Sequence, residues 1–149
     1  MGHFSFDELQ REAERKADNP DERIKEYRNA VPVIDDAVSQ LTQSIVSNGK
    51  TPILIGGGHN NSYPIIKGTA LGLGELKGIN CVNLDAHIDF RSAEGRHSGN
   101  GFRYAKQEGY LKHYFALGIH ENYIPNGILR EVKQNAELDF TTYEEIFVR

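Results

Sequence analysis

The sequence predicts an α/β fold, a mostly parallel sheet with helices on both faces. Three observations carry this prediction. Apolar runs of strand length alternate with helical patterns, the signature of βαβ units. The strand runs are continuously apolar rather than alternating, as expected where helices cover both faces of a sheet. Polar residues with chemical potential gather where those runs end, and open parallel sheets bind ligands beyond the carboxyl ends of their strands.

At 149 residues the chain is expected to form a single domain over 1–149, with a charged helical lead-in over 1–31 and an α/β core over 32–149. The net charge is −4 with both signs mixed, which argues against nucleic-acid binding, since that needs a basic patch. No apolar run reaches the ~18 residues of a membrane span. The opening Met-Gly-His-Phe-Ser lacks the basic and apolar regions of a signal peptide. The single cysteine, Cys81, lies in an apolar run and reads as a buried thiol, so a reducing, cytoplasmic setting is expected.

Residues 1–30 hold eight acidic and six basic side chains. Ser5 and Glu8 have capping-box spacing, and Phe4 and Leu9 are placed as a hydrophobic staple. Asp7/Arg11 and Glu12/Lys16 are acid-before-base pairs one helical turn apart. A helix is predicted from Phe6 to just before Asn19-Pro20, because the residue before proline avoids helical backbone. A short second helix follows Asp21. Ile34, Ala37, Val38, Leu41 and Ile45 mark one apolar face of a further helix, ended by Asn48-Gly49.

Pro52 to Ile55 reads as a short buried strand. The turn Gly56-Gly57-Gly58-His59 follows it, then a helix over Tyr63 to Leu71 that Ser62 would cap and Gly68 and Gly72 would weaken. Ile79 to Leu84 is the second strand. Arg91 to Gly101 is a polar, Gly-rich loop, and a short helix is predicted over Phe102 to Glu108. His113 to Ile119 is the third strand, a helix follows Pro125, and Leu138 to Tyr143 is the fourth strand.

The most informative stretch is Asp85-Ala86-His87-Ile88-Asp89, directly after an apolar strand. If the strand runs on through it, residues at spacing two project to the same side. Two carboxylates and an imidazole then converge, a hard donor set suited to Mn, Fe(II) or Zn. The plainer alternative is a surface turn with an unrelated histidine. The three glycines before His59 make neither G-x-G-x-x-G nor a Walker loop. They would instead let the backbone bend so that His59 points across to the neighbouring strand end. Asp85, His87, Asp89 and His59 would serve one metal, or two with a bridging carboxylate and further ligands. A shared water would then be a nucleophile near neutral pH.

Gly-Gly-Gly-His followed by Asp-Ala-His-x-Asp resembles the ureohydrolase superfamily of arginase, agmatinase and formimidoylglutamase, from about Val33 onward. The resemblance implies a three-layer α/β/α fold, a binuclear Mn2+ centre, and hydrolysis of a linear amidine C–N bond. It carries His59, Asp85 and Asp89 onto one metal, and Asp85 (as a bridge) with His87 onto the other. Asp89 is also the implied proton carrier. Ser98 and Asn100 resemble the loop that holds a substrate carboxylate, and His120 and Glu121 are candidate substrate contacts. Gly58 stands where arginases carry Asp, and Phe102 where they carry a proton-transfer histidine. Both departures point to the formimidoylglutamase branch, which makes glutamate and formamide in histidine metabolism; arginase and agmatinase are alternatives.

The family's first strand and its later Asp-x-Asp motif have no counterpart, since Asp139 is the only aspartate after Asp89. An internal fragment holding one Mn2+ or none, and inactive by itself, is therefore expected. A non-enzymatic metal-binding fragment is the rival reading, and a histone-deacetylase-like zinc hydrolase fits the motif less well. The expected partners are a small-molecule amidine and further copies in a homo-oligomer. Arg96, His97 and Arg103 could hold an anionic substrate or lie in a solvated loop. Without a G-x-S-x-G elbow, a triad of Ser98, His97 and Asp89 is disfavoured.

Overall fold

The structure is a computed structural model and describes residues 2–147. Helices α1 (Asp7–Arg15), α2 (Pro20–Ser47) and α3 (Ser62–Leu73) precede strand β1 (Ile79–Leu84). Then come α4 (Gly101–Gln107), β2 (Leu111–Ile119), α5 (Asn126–Gln134), β3 (Leu138–Thr142) and α6 (Tyr143–Phe147). The strands form a parallel sheet in the order β1-β2-β3, with Cys81 opposite Tyr114 and Tyr114 opposite Leu138. This is the α/β architecture that the alternating pattern predicts.

The helical lead-in differs from expectation in two ways. Ser5 does not cap α1; its hydroxyl donates to Asp7 Oδ2 at 3.0 Å, and Phe4 stacks on Phe6 instead. The Glu12–Lys16 pair does form, at 2.7 Å. The two helices expected on either side of residue 31 are one helix of 28 residues. Asn19 caps it by accepting from the Glu22 amide at 2.9 Å, with Pro20 at the first helical position. Pro32 removes one ladder donor from α2, but tertiary packing holds the helix continuous.

That packing is against α3, and it explains why α3 carries glycine at 68 and 72. A Cβ on Gly68 would lie 2.5 Å from the Ser39 carbonyl oxygen and 2.6 Å from Thr42 Cβ. One on Gly72 would lie 2.7 Å from Val46 Cβ. Glycine one turn apart lets the two helix backbones approach closely, and the helix tolerates its poor propensity in exchange.

The buried strand expected at Pro52–Ile55 does not form. Residues 51–55 have no regular structure, and Ile53 and Ile55 are 84% and 92% exposed. A strand needs a hydrogen-bonded neighbour, and among the described residues β1 pairs only with β2. Val82 and Leu84 are correspondingly exposed. The sheet therefore has three strands among the described residues, not four. The short helix α6, not anticipated from sequence, packs on β2 and β3.

The core lies between the sheet and its helices and reaches the carboxyl end of β1. Phe102 from α4 stacks on Tyr114 of β2 with ring centroids 4.4 Å apart, and Phe90 stacks on the same ring at 6.0 Å. All three are almost fully buried, and each such ring contributes roughly 2–3 kcal/mol by burial. The Tyr114 hydroxyl donates to the Ile88 carbonyl at 2.7 Å and accepts from Asn83 Nδ2 at 3.1 Å. The core is thus tied to the segment that follows β1.

Candidate metal centre

Strand β1 ends at Leu84, before the acidic motif begins. Asp85 starts a turn in which its own Oδ1 accepts from the His87 amide at 2.9 Å, the local bond that favours aspartate in turns. Asp89 then adopts φ 45°, the only non-glycine positive φ among the described residues. That left-handed conformation costs about 1 kcal/mol or more for a residue bearing a Cβ. The expectation of an extended D-x-H-x-D ladder is therefore corrected. The backbone curls, Asp85 and Asp89 come together, and His87 is set apart.

His59 meets the two carboxylates from the other side. Gly56 and Gly57 have φ of 93° and 74°, conformations open to glycine, and they deliver His59 to the start of a short 3-10 turn, His59–Asn61. His59 Nδ1 lies 2.6 Å from Asp89 Oδ2 and 3.1 Å from Asp85 Oδ2. One ligand atom from each of the three residues can be chosen so that all lie within 4.8 Å of one another. An imidazole nitrogen and two carboxylate oxygens at this spacing fit a divalent cation of the Mn, Fe(II) or Zn class. The hydrogen bond to Asp89 raises the His59 pKa above its ordinary value, against the effect of partial burial. A cation must displace that proton, so its affinity rises with pH. Beside the group lies an open cleft of about 490 Å³ lined by Leu54, Gly57, Asn61, Ser62 and Leu84.

His87 stands outside this group. Its Nδ1 is 3.4 Å from Asp85 Oδ1, and its ring stacks on Tyr123 at 5.1 Å. Asp85 consequently sits between two imidazoles, one facing each carboxylate oxygen. The Phe102 ring packs edge-on against His59, with centroids 5.5 Å apart.

The loop residues behave differently from their expected roles. Ser98 is exposed. Asn100, expected to donate to a substrate, is fully buried and has no side-chain valence left for one. Its Oδ1 accepts from Arg96 Nη1 and the His97 amide, and its Nδ2 donates to the Ser92 and Gly95 carbonyls. Arg96 is buried and bound to both oxygens of Asp35, at 2.8 and 3.2 Å, so it does not face an anionic ligand. Arg103 is likewise engaged with Glu131 at 2.8 and 2.6 Å. His97 Nδ1 accepts from the Gly99 amide at 3.1 Å, and burial lowers its pKa. His120 pairs with Glu144 at 3.2 Å and stacks on Tyr143, while Glu121 is exposed in the turn Glu121–Tyr123. The partners Asp35 and Glu131 carry no motif, and only the fold brings each to its arginine. Cys81 is half-buried, and burial pushes its thiol up to about 11, so it is un-ionised at neutral pH.

No helix among the described residues is long and apolar enough to cross a membrane. A sequence profile of the arginase family matches residues 6–147. Formimidoylglutamase of Streptococcus pyogenes serotype M3 is 27% identical over 136 residues, covering 87% of this chain and 39% of that protein. The crystal structure of Bacillus subtilis formimidoylglutamase superimposes with a TM-score of 0.64 at 26% identity, over 75% of this chain and 35% of that one. Trypanosoma cruzi formiminoglutamase, crystallised with Mn2+, gives a TM-score of 0.65 at 20% identity over 87% and 41% of the two chains. At that identity the likeness concerns the fold alone. The chain spans less than half the length of these relatives.

Proposed function

This chain belongs to the arginase family, and from that premise we propose that it supplies cation ligands for hydrolysis of a linear amidine C–N bond. The observation carrying the proposal is the meeting of His59, Asp85 and Asp89 beyond the end of β1. The favoured substrate is formimidoylglutamate, which with one water gives glutamate and formamide. Two of the relatives bear the formimidoylglutamase name, and Gly58 and Phe102 replace residues typical of arginases. Arginine and agmatine are the alternative substrates.

His59, Asp85 and Asp89 would hold Mn2+, with His87 as a further ligand on the far side of Asp85. Bound there, such a cation supplies Lewis acidity and lowers the pKa of water. The chain's own groups do the rest. Asp89 Oδ2, on the least exposed of the three side chains, takes a proton and delivers it to the leaving nitrogen. The exposed Ser98 hydroxyl donates to the substrate carboxylate, and His120 and Glu121 contact the substrate from the edge of the site. Asn100 acts through the loop and not on the substrate.

A second reading has its own observation. The clustered set provides two carboxylates, which offset only half the charge of a divalent cation pair. The 149-residue chain is accordingly expected to hold at most one Mn2+ and to hydrolyse formimidoylglutamate, arginine and agmatine slowly or not at all. The experiment measures Mn2+ stoichiometry together with formamide or urea release, beside Bacillus subtilis formimidoylglutamase. One bound ion with little turnover supports the reading of a ligand-supplying chain. Turnover within tenfold of the enzyme would show that the ligand set is larger than the one named, and no Mn2+ binding at all would overturn the metal assignment.

A further inference from the structure

We infer that Arg103, held by Glu131, is a positioning residue for the cation ligand Asp89, and that Arg96, held by Asp35, plays the same part for His59. The inference rests on reading His59, Asp85 and Asp89 as a cation site. Both ligands sit on irregular backbone. Asp89 has a positive φ although it bears a Cβ, and His59 follows two glycines whose conformational freedom leaves its position open. A strained residue such as Asp89 persists only where surrounding contacts determine it, and a glycine-led segment is placed by the contacts beyond it.

The contacts are matched. One residue beyond Asp89, the Phe90 carbonyl accepts from Arg103 Nε and Nη2 at 3.1 and 2.9 Å, and the Arg91 carbonyl accepts from Nε at 2.8 Å. The same guanidinium lies 4.3 Å from the centre of the Phe90 ring. One residue beyond His59, the Asn60 carbonyl accepts from Arg96 Nη2 at 2.8 Å. Arg96 lies against the rings of Tyr63 and Tyr104, at 4.8 and 5.2 Å. Each guanidinium is oriented by a carboxylate from a separate helix, Glu131 on α5 and Asp35 on α2. A planar fork that binds a carboxylate on one side and a carbonyl on the other fixes direction as well as distance, which a lysine does not do.

A role in stability alone would produce the same contacts, so the test separates the two. Arg103 and Glu131 are chosen because the Arg96–Asp35 pair is buried and its variants risk unfolding. The chain, its R103K variant and its E131Q variant are titrated with Mn2+ and read by the electron paramagnetic resonance of the free ion. The temperature is one at which circular dichroism shows all three folded. R103K is expected to weaken binding about tenfold or more, the usual effect of losing a group that orients a ligand. E131Q is expected to weaken it less, because Glu131 is 42% exposed and glutamine keeps one acceptor. Without metal, amide exchange should quicken in residues 88–92 of both variants and stay unchanged in β2. A lower melting temperature with unchanged Mn2+ affinity would overturn the positioning role. If R103K does not fold, unchanged affinity in E131Q decides the same way. Absence of binding by the unsubstituted chain would instead overturn the metal reading on which the inference stands.

Discussion

Replacing Asp35 by alanine should cost this protein much of its stability. Asp35 and Arg96 are each 5% exposed, and their paired atoms lie 2.8 and 3.2 Å apart. Burial pushes the Asp35 carboxyl pKa up, against the pull of Arg96, so the ion pair is not a net source of stability by itself. Its one-sided removal is what costs. Asp35→Ala strands a buried guanidinium with its Nε unpaired, and breaking such a pair from one side costs about 3–5 kcal/mol. A chain of this length has roughly 7–22 kcal/mol in total. At about 2–4 °C per kcal/mol for a domain of this size, the melting temperature should fall by roughly 6–20 °C. Urea titration at pH 7 gives the free energy directly. Asp35→Asn, which keeps an acceptor beside Arg96 Nε, should cost less than Asp35→Ala, because the loss comes from the group left unpaired. A loss under about 1 kcal/mol for D35A, or equal losses for D35A and D35N, would refute the reasoning.

Three further outcomes are expected. Gly68→Ala should destabilise by about 1–2 kcal/mol in a urea melt, since overpacking against Ser39 and Thr42 outweighs the gain in helix propensity; Gly127→Ala in α5, where an added Cβ meets nothing within 4 Å, should be neutral or mildly stabilising. Asp85→Asn should reduce Mn2+ affinity more than Asp89→Asn in a calorimetric titration, because Asp85 lies between His59 and His87 whereas Asp89 serves one imidazole; equal losses would remove the case for Asp85 as the shared ligand. In the metal-free chain the His59–Asp89 contact raises the histidine pKa above 6.5, so the folded state binds more protons than the unfolded one in the window just above that value. Its stabilisation should be complete below about pH 6.5 and fade as pH rises through the folded-state value. Urea midpoints measured across pH should show this fall, and Asp89→Asn should flatten it.

The sequence by itself determined the fold class and the segments that meet beyond the end of β1. The strand-like runs at 79–84, 113–119 and 138–143 announced β1, β2 and β3, because strands that build a sheet core draw on such runs. The Gly-Gly-Gly-His and Asp-x-His-x-Asp motifs, each next to an apolar run, marked the segments from which His59, Asp85 and Asp89 come together. Tertiary structure decided the remainder. Pro52–Ile55 has strand composition but no ladder partner among the described residues, and composition does not specify pairing. Asp85 to Asp89 looked extended by spacing, yet the bond from the His87 amide to Asp85 and the left-handed Asp89 turn the chain, since short polar side chains compete with the strand ladder for backbone groups. By sequence Arg96 and Arg103 suit either an anion site or a solvated loop, and the resemblance makes Asn100 a substrate donor. Their partners lie as far off in sequence as Asp35, 61 residues from Arg96, and no local pattern encodes which carboxylate a guanidinium will meet. Periodicity reports what one segment must bury. Which buried charges, carbonyls and strand edges face one another depends on how distant segments pack, and that is settled only when the chain folds.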